Sequence, residues 1–401
     1  MMDTPRFPSR AFRAAVICLV TLAFVFLAGG CGNSTKSTRP PKGRVLVIGL
    51  DGLEWSLLRP MMDRGEAPNL KKLADSGVWG NFRSLEPLQK SPAIWTTLAT
   101  GKSPKEHGIR GYVDMQGGKP LTQNIRRVKA IWNILSSTDR TVGIVGWLMS
   151  WPAEEVNGFD VSDYVLYQAA QDQRLEKRTY PEELYDEIAP LNPDWRAMPV
   201  SKINEFLSKP LVESDSNLVR AARPIRWMIT GDQAFADIAL KLGKEEKPDF
   251  LAVYLRSSDT MGHLYWNYQD PAAYRADLTD PAIAPWFKDT MRLDYKWLDT
   301  QVGRLVKDLA DDSTTVIVCS DHGFGGGGGG GVADHKLDGV IILAGAHIAK
   351  GEITGATVYD LTPTILALYG LPKADDMPGK VLWSAFDKSI RPDTFNKTIP
   401  T

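Results

Sequence analysis

Arg44-Val-Leu-Val-Ile-Gly-Leu-Asp51-Gly52 is the stretch that decides the fold. An aliphatic run without polar alternation does not suit a strand with one wet face. It reads as a strand buried on both sides, as in a parallel sheet. The carboxylate that follows then stands at the strand's C-terminal end, where open α/β sheets gather their ligands. The pattern recurs in Thr141-Val-Gly-Ile-Val-Gly-Trp147, Asp249-Phe-Leu-Ala-Val-Tyr-Leu255 and Thr314-Thr-Val-Ile-Val-Cys-Ser320. Helical patterns lie between them, at about 67–76, 93–100 and 286–311. Strands alternating with helices predict an α/β fold, with a central, mostly parallel sheet and helices on both faces. Three of the four strands are followed by Asp at once or within four residues.

Outward from this core the texture changes. Residues 151–245 scatter prolines, tryptophans and charges without strong strand signals, and read as an inserted, helical cap. The catalytic domain is expected over 44–372, with 373–401 as a C-terminal extension. Residues 32–43 are polar and aperiodic, a flexible linker. Before them, Arg6, Arg10 and Arg13 precede an apolar run at 14–28 and then Gly29-Gly30-Cys31. A basic start, a short apolar stretch and small residues read as an export signal over 1–31. Its end resembles a bacterial lipoprotein signal, which makes Cys31 the lipidated residue. The expected location is outside the cytoplasm, facing the periplasm or cell exterior and tethered to a membrane by the lipid or the signal segment.

Composition bounds the partners. The 401 residues are 43% hydrophobic and 24% charged, with a net charge of −1. No basic excess exists to wrap nucleic acid, and a small anionic substrate must be met by local charge. Cys319 is the only cysteine beyond residue 31. The folded body therefore carries no disulfide of its own and needs a large apolar core.

Five histidines occur, at 107, 263, 322, 335 and 347. Asp321-His322 directly follows one buried strand, Asp259-Thr-Met-Gly-His263 begins just after another, and Asp334-His335 follows the glycine run 325–331. On a helix, Asp259 and His263 share one face, being four residues apart. Carboxylate oxygen and imidazole nitrogen are the donors expected for zinc or manganese. A pair of such ions can hold a phosphoryl oxygen, activate a nucleophile and neutralise the leaving oxygen. The glycine run leads into Asp334-His335 and opens no helix, so it reads as a loop and not as a phosphate cradle. A nucleophile is sought in Ser91-Pro-Ala-Ile-Trp-Thr96-Thr97-Leu-Ala-Thr100-Gly101, a loop entering a helix. A hydroxyl at a helix N-terminus meets unpaired N–H groups that favour phosphate; the bland alternative for Thr96 or Thr97 is an N-cap.

These residues resemble the alkaline phosphatase superfamily, in its type I phosphodiesterase/nucleotide pyrophosphatase branch. The matching pieces run in the family's order: Gly49-Leu50-Asp51-Gly52, Trp95–Gly101 with Pro104 and His107-Gly108-Ile109, Asp259–His263, Ser320-Asp321-His322-Gly323 and His335. The resemblance implies two divalent metal ions, commonly zinc, with manganese in related mutases. Asp51, Asp321, His322 and the nucleophile Thr96 (alternative Thr97) would hold one; Asp259, His263 and His335 the other. It implies a phosphothreonine that water then hydrolyses, a bound metal lowering the water pKa toward about 7. Where the branch places a phosphoryl-binding Asn, this chain has Arg110-Gly111-Tyr112, and Tyr112 takes the donor role. His107 is expected to hold its turn, His347 to lie in a surface loop, and Cys319 to pack in the core. Trp147 and Trp151 are candidates for a leaving-group pocket or for packing. No Cys-x-Pro-x-Arg or Ser-x-Pro-x-Arg segment favours the sulfatase branch. The expected activity is hydrolysis of a phosphodiester or phosphomonoester on a small phosphorylated substrate. A phospho-group transferase or phosphomutase is the alternative, and a non-catalytic binding lipoprotein is a third reading.

Overall fold

The structure, a computed structural model, describes residues 43–113, 120–166, 176–269, 279–326, 333–388 and 398–399. Cys31 and the expected signal segment lie outside them, as do most of the linker and glycines 327–331. Among the described residues, no helix is long and apolar enough to cross a membrane.

The quoted stretch forms strand β1, Arg44–Leu50. The further strands are β2 Val78–Arg83, β3 Val142–Val145, β4 Gly158–Val161, β5 Thr179–Tyr180, β6 Phe250–Leu255, β7 Thr314–Cys319, β8 Gly323–Gly326, β9 Ala333–Lys336, β10 Asp338–Gly345, β11 Gly351–Glu352 and β12 Ala356–Thr357. The main sheet runs β11-β2-β10-β7-β1-β6-β3-β4-β5, with β12 on β2. Its centre, β7-β1-β6-β3-β4, is parallel; β10 and β5 run against their neighbours. The α/β sheet is therefore the one expected.

Alternation along the central strands divides the core between the two faces. Leu46, Ile48 and Leu50 join one apolar cluster with Val253, Leu255, Val316 and Val318. Val45 and Val47 join the other, with Phe250, Tyr254, Ile317 and Cys319. Helices Pro68–Ser76, Ser216–Glu246 and Thr290–Leu309 add side chains to the first cluster; Ser91–Thr100 and Leu361–Leu368 add theirs to the second. Each fully buried aliphatic side chain contributes about 1.5–3 kcal/mol. Two such layers hold the sheet, and Cys319 remains a free, buried thiol.

Residues 151–245 differ from the cap expected for them. They supply β4 and β5, which extend the sheet, and helix Ser216–Glu246, whose Phe235, Ile238, Ala239 and Leu242 pack into the core. Among the described residues, short helices at Asp163–Leu166 and between residues 184 and 204 also belong to this stretch. The strand signal was too short to read: β4 is four residues and β5 two, and neither carries an aliphatic run.

Register sets up the site. Leu50 lies opposite Leu255, and Gly49 opposite Cys319. Three neighbouring strands thus end almost level, and the residues that follow them meet at one edge.

Candidate metal centre

Asp51 leaves β1 into a tight turn. Gly52 has φ +68°, a left-handed conformation that favours glycine. A Cβ there would lie 3.0 Å from the Asp259 Cα, so the turn also admits the helix of Asp259. That helix, Ser257–Gln269, starts two residues after β6 and carries Asp259 and His263 one turn apart. Ser258 Oγ donates to the Asp51 carbonyl at 2.5 Å, tying the two loops together. Asp321 and His322 follow β7; Asp321 Oδ1 accepts the Gly52 N–H at 3.3 Å. His335 returns on β9, which pairs with β8 in a hairpin that sets His335 opposite Phe324.

All six Asp and His residues expected as ligands are brought to this edge. His322 Nε2 lies 3.4 Å from Asp51 Oδ1, 3.4 Å from Asp321 Oδ2 and 3.8 Å from Asp259 Oδ1. Asp259 Oδ1 is 3.0 Å from His335 Nε2 and 3.4 Å from His263 Nε2; the two imidazole nitrogens are 2.9 Å apart. Two donor groups suited to a cation result, Asp51–Asp321–His322 and Asp259–His322–His335, with His263 beside the second.

The donor chemistry fits metal ions. His322 Nδ1 sits 2.9 Å from the Gly323 carbonyl, which can only accept, so the ring proton is on Nδ1 and the Nε2 lone pair faces the carboxylates. Asp51 Oδ1 and Asp321 Oδ2 are buried without a hydrogen-bond donor. Lone pairs pointed at one another in a dry site repel, and a cation resolves that repulsion. The electrostatics agree. Burial, reinforced by Asp321 and Asp259, pushes Asp51 well above the usual carboxylate range. Burial likewise lifts Asp321 to about 7. For Asp259, burial is outweighed by hydrogen bonds from His263 and His335, and its pKa falls. Burial lowers the pKa of His322.

The hydroxyl at this cluster is not the expected one. Helix Ser91–Thr100 begins at Ser91, so Thr96 and Thr97 lie inside it. Thr96 Oγ1 donates to the Pro92 carbonyl at 2.7 Å and Thr97 Oγ1 to the Ala93 carbonyl at 3.0 Å, the back-bonding usual for hydroxyls within helices. Thr97 also meets His107 Nε2 at 3.1 Å. Ser91 Oγ, at the helix N-terminus, is 3.3 Å from His322 Nε2. Ser91 thus brings its hydroxyl to the cluster, whereas the hydroxyls of Thr96 and Thr97, the expected nucleophiles, are bonded to the helix backbone. The helix starts earlier than its apolar pattern suggested, because Pro92 occupies a first-turn position that needs no N–H partner.

Tyr112 reaches the site. Although the residue is 51% exposed, partial desolvation of its phenol and the charges of Asp51, Asp259 and Asp321 raise its pKa; a hydrogen bond with Ser91 acts against them. Leu88, Gln89, Lys90, Ser91, Arg110, Tyr112, Asp259, His263 and His335 line a cleft of about 620 Å³. Trp147 and Trp151 do not line it. Trp147 is buried edge-on against Trp95 and Trp132, and Trp151 stacks on Tyr164. His107 is buried, accepting the Ile109 N–H on Nδ1 at 3.1 Å, and burial lowers its pKa to about 4. His347 occupies a turn after β10 with φ +66°.

Comparison with known proteins places this arrangement. The model of the type I phosphodiesterase / nucleotide pyrophosphatase family matches residues 45–339. The chain belongs to this family. It is a hydrolase of the alkaline phosphatase superfamily, whose members depend on metals. Solved structures share the fold. A 2-O GAG sulfatase superposes with a TM-score of 0.55 at 14% identity, covering 89% of this chain and 76% of its own. A candidate sulfatase from Bacteroides thetaiotaomicron VPI-5482 gives 0.56 at 15%, covering 88% and 76%. Among curated proteins none matches.

Proposed function

We propose that this family member hydrolyses phosphate esters, diesters in the first place, through a covalent intermediate on Ser91. The observation that carries the reading is the Ser91 hydroxyl, 3.3 Å from His322 Nε2 at a helix N-terminus and beside both donor groups. Asp51, Asp321 and His322 would hold one divalent ion and Asp259, His263 and His335 a second, zinc being the better match to mixed nitrogen and oxygen donors and manganese the alternative. Bound there, the ions supply charge neutralisation for the phosphoryl oxygens and for the departing oxygen.

The protein's own groups do the rest. Lys90 and Arg110 are exposed on the cleft and attract an anionic substrate. Tyr112 donates to a phosphoryl oxygen from the side of Ser91. Ser91 Oγ bonds to phosphorus as the ester bond breaks, the leaving alcohol takes up the serine proton, and water then frees Ser91. The apolar run ending at Cys31 supports export and lipid tethering, with the cleft meeting small phosphorylated compounds outside the cytoplasm.

A direct test compares bis-p-nitrophenyl phosphate, p-nitrophenyl phosphate and p-nitrophenyl sulfate as substrates of the zinc-loaded protein. The diester is expected to turn over fastest, Ser91→Ala to lose about a thousandfold or more in kcat, and acid quenching to trap a phosphoryl adduct on Ser91 by mass. Faster turnover of the sulfate ester would overturn the phosphate reading; an adduct on Thr96 or Thr97 would overturn the nucleophile.

A further inference from the structure

The two oxygens of Asp51 are treated differently. Oδ2 accepts the Tyr254 hydroxyl at 2.5 Å and the Trp95 indole N–H at 3.1 Å. Oδ1 has no hydrogen-bond donor and faces His322 Nε2 at 3.4 Å. The two donors are themselves braced. The Trp95 and Tyr254 rings meet edge-on, with centroids 4.8 Å apart and 74° between planes. Trp147 packs edge-on against Trp95 at 5.1 Å and donates its indole N–H to the Trp95 carbonyl at 3.2 Å. The strand makes room for this: a Cβ at Gly49 would stand 2.6 Å from the Trp95 ring. Both donor side chains are buried, so water does not compete for Oδ2.

An indole N–H can only donate, and two donors on one oxygen fix the rotation of the carboxylate. The remaining oxygen is then aimed at the cluster before any ion arrives. Ser91 and Trp95 lie four residues apart on one helix face, so the helix that presents the hydroxyl also sets the carboxylate. We propose that Tyr254 and Trp95 are positioning residues: they hold Asp51 as a one-oxygen ligand and set the metal affinity of the Asp51–Asp321–His322 position, leaving the Asp259–His263–His335 position untouched. This inference rests on the two-metal reading above. Outer hydrogen bonds of this kind orient a ligand and are commonly worth 10–100-fold in metal affinity. A carboxylate anchored only for fold stability would show no such selectivity between the two positions.

The test is zinc titration of the full chain, stripped of metal, by calorimetry with a competing chelator. Tyr254→Phe removes one oxygen and keeps the ring. It is expected to weaken one of the two binding events by about 10–100-fold and leave the other within about twofold. Trp95→Phe is expected to weaken the same event. Cobalt(II) gives a second readout, because a reoriented ligand shifts the visible absorption of the ion at one position. Two zinc ions bound with wild-type affinities in Tyr254→Phe, or an equal loss at both positions, would overturn the clamp while leaving the metal centre intact. A wild-type chain that takes up no zinc would overturn the two-metal reading and the clamp with it.

Discussion

The two halves of the metal centre contrast in how they are built. Asp51, Asp321 and His322 stand on strand ends, with side chains 2%, 0% and 0% exposed. His263 rides a helix and His335 a hairpin next to the glycine run, 44% and 17% exposed, with Asp259 at 14%. Loop and strand contacts lock the first half: Gly52 N–H on Asp321, the Gly323 carbonyl on His322, and Tyr254 with Trp95 on Asp51. The second half is joined by contacts among Asp259, His263 and His335 and by ring contacts with Phe324 and His322. A dry site has a lower effective dielectric, so the attraction of its carboxylates for a cation is stronger there. On the proposed two-metal reading, the buried half would retain an ion and the exposed half would exchange one with solvent.

Breaking the buried half should have the largest effect. Asp321→Ala is expected to abolish binding of one zinc and to lower kcat by about a thousandfold. His263→Ala should weaken the other zinc by about 10–100-fold, with activity recovered by excess metal. Metal analysis during stepwise chelation sharpens the contrast: the first zinc lost from the native protein should be the one that His263→Ala holds more weakly. Simultaneous loss of both would erase the distinction between the halves.

The wall beneath the site makes a smaller prediction, in stability. Burial lowers the pKa of His107 from its ordinary value near 6.5 to about 4. The unfolded chain therefore binds a proton that the folded one refuses. Its contribution is intact above about pH 6.5 and is lost as pH falls toward about 4, up to about 3 kcal/mol at about 1.36 kcal/mol per pH unit. Denaturant unfolding across this window should show the decline, and His107→Gln should flatten it. An unchanged slope would place the proton uptake elsewhere. The smallest effect is expected from Thr96→Val: its hydroxyl serves the helix backbone, so kcat should stay within about threefold. A thousandfold loss would return the nucleophile to Thr96.

The sequence by itself determined four central strands of the sheet, the edge at which chemistry gathers, and the six Asp and His residues there. The reason is that a doubly buried strand requires a continuous aliphatic run, and the residues just after such a run have few other places to be. Three things came only from the tertiary structure. Ser91 is the hydroxyl at the site because the helix begins there, 3.3 Å from His322 on the loop after β7; a start four or five residues later would have presented Thr96. β4 and β5 join the sheet through backbone pairing alone, which leaves little mark in short strands. The clamp on Asp51 joins Trp95 and Tyr254, 159 positions apart in sequence, so no local pattern links them. Local pattern names the candidate ligands in this chain, whereas which oxygen of such a residue is free, and which hydroxyl lies beside it, depends on contacts between distant segments.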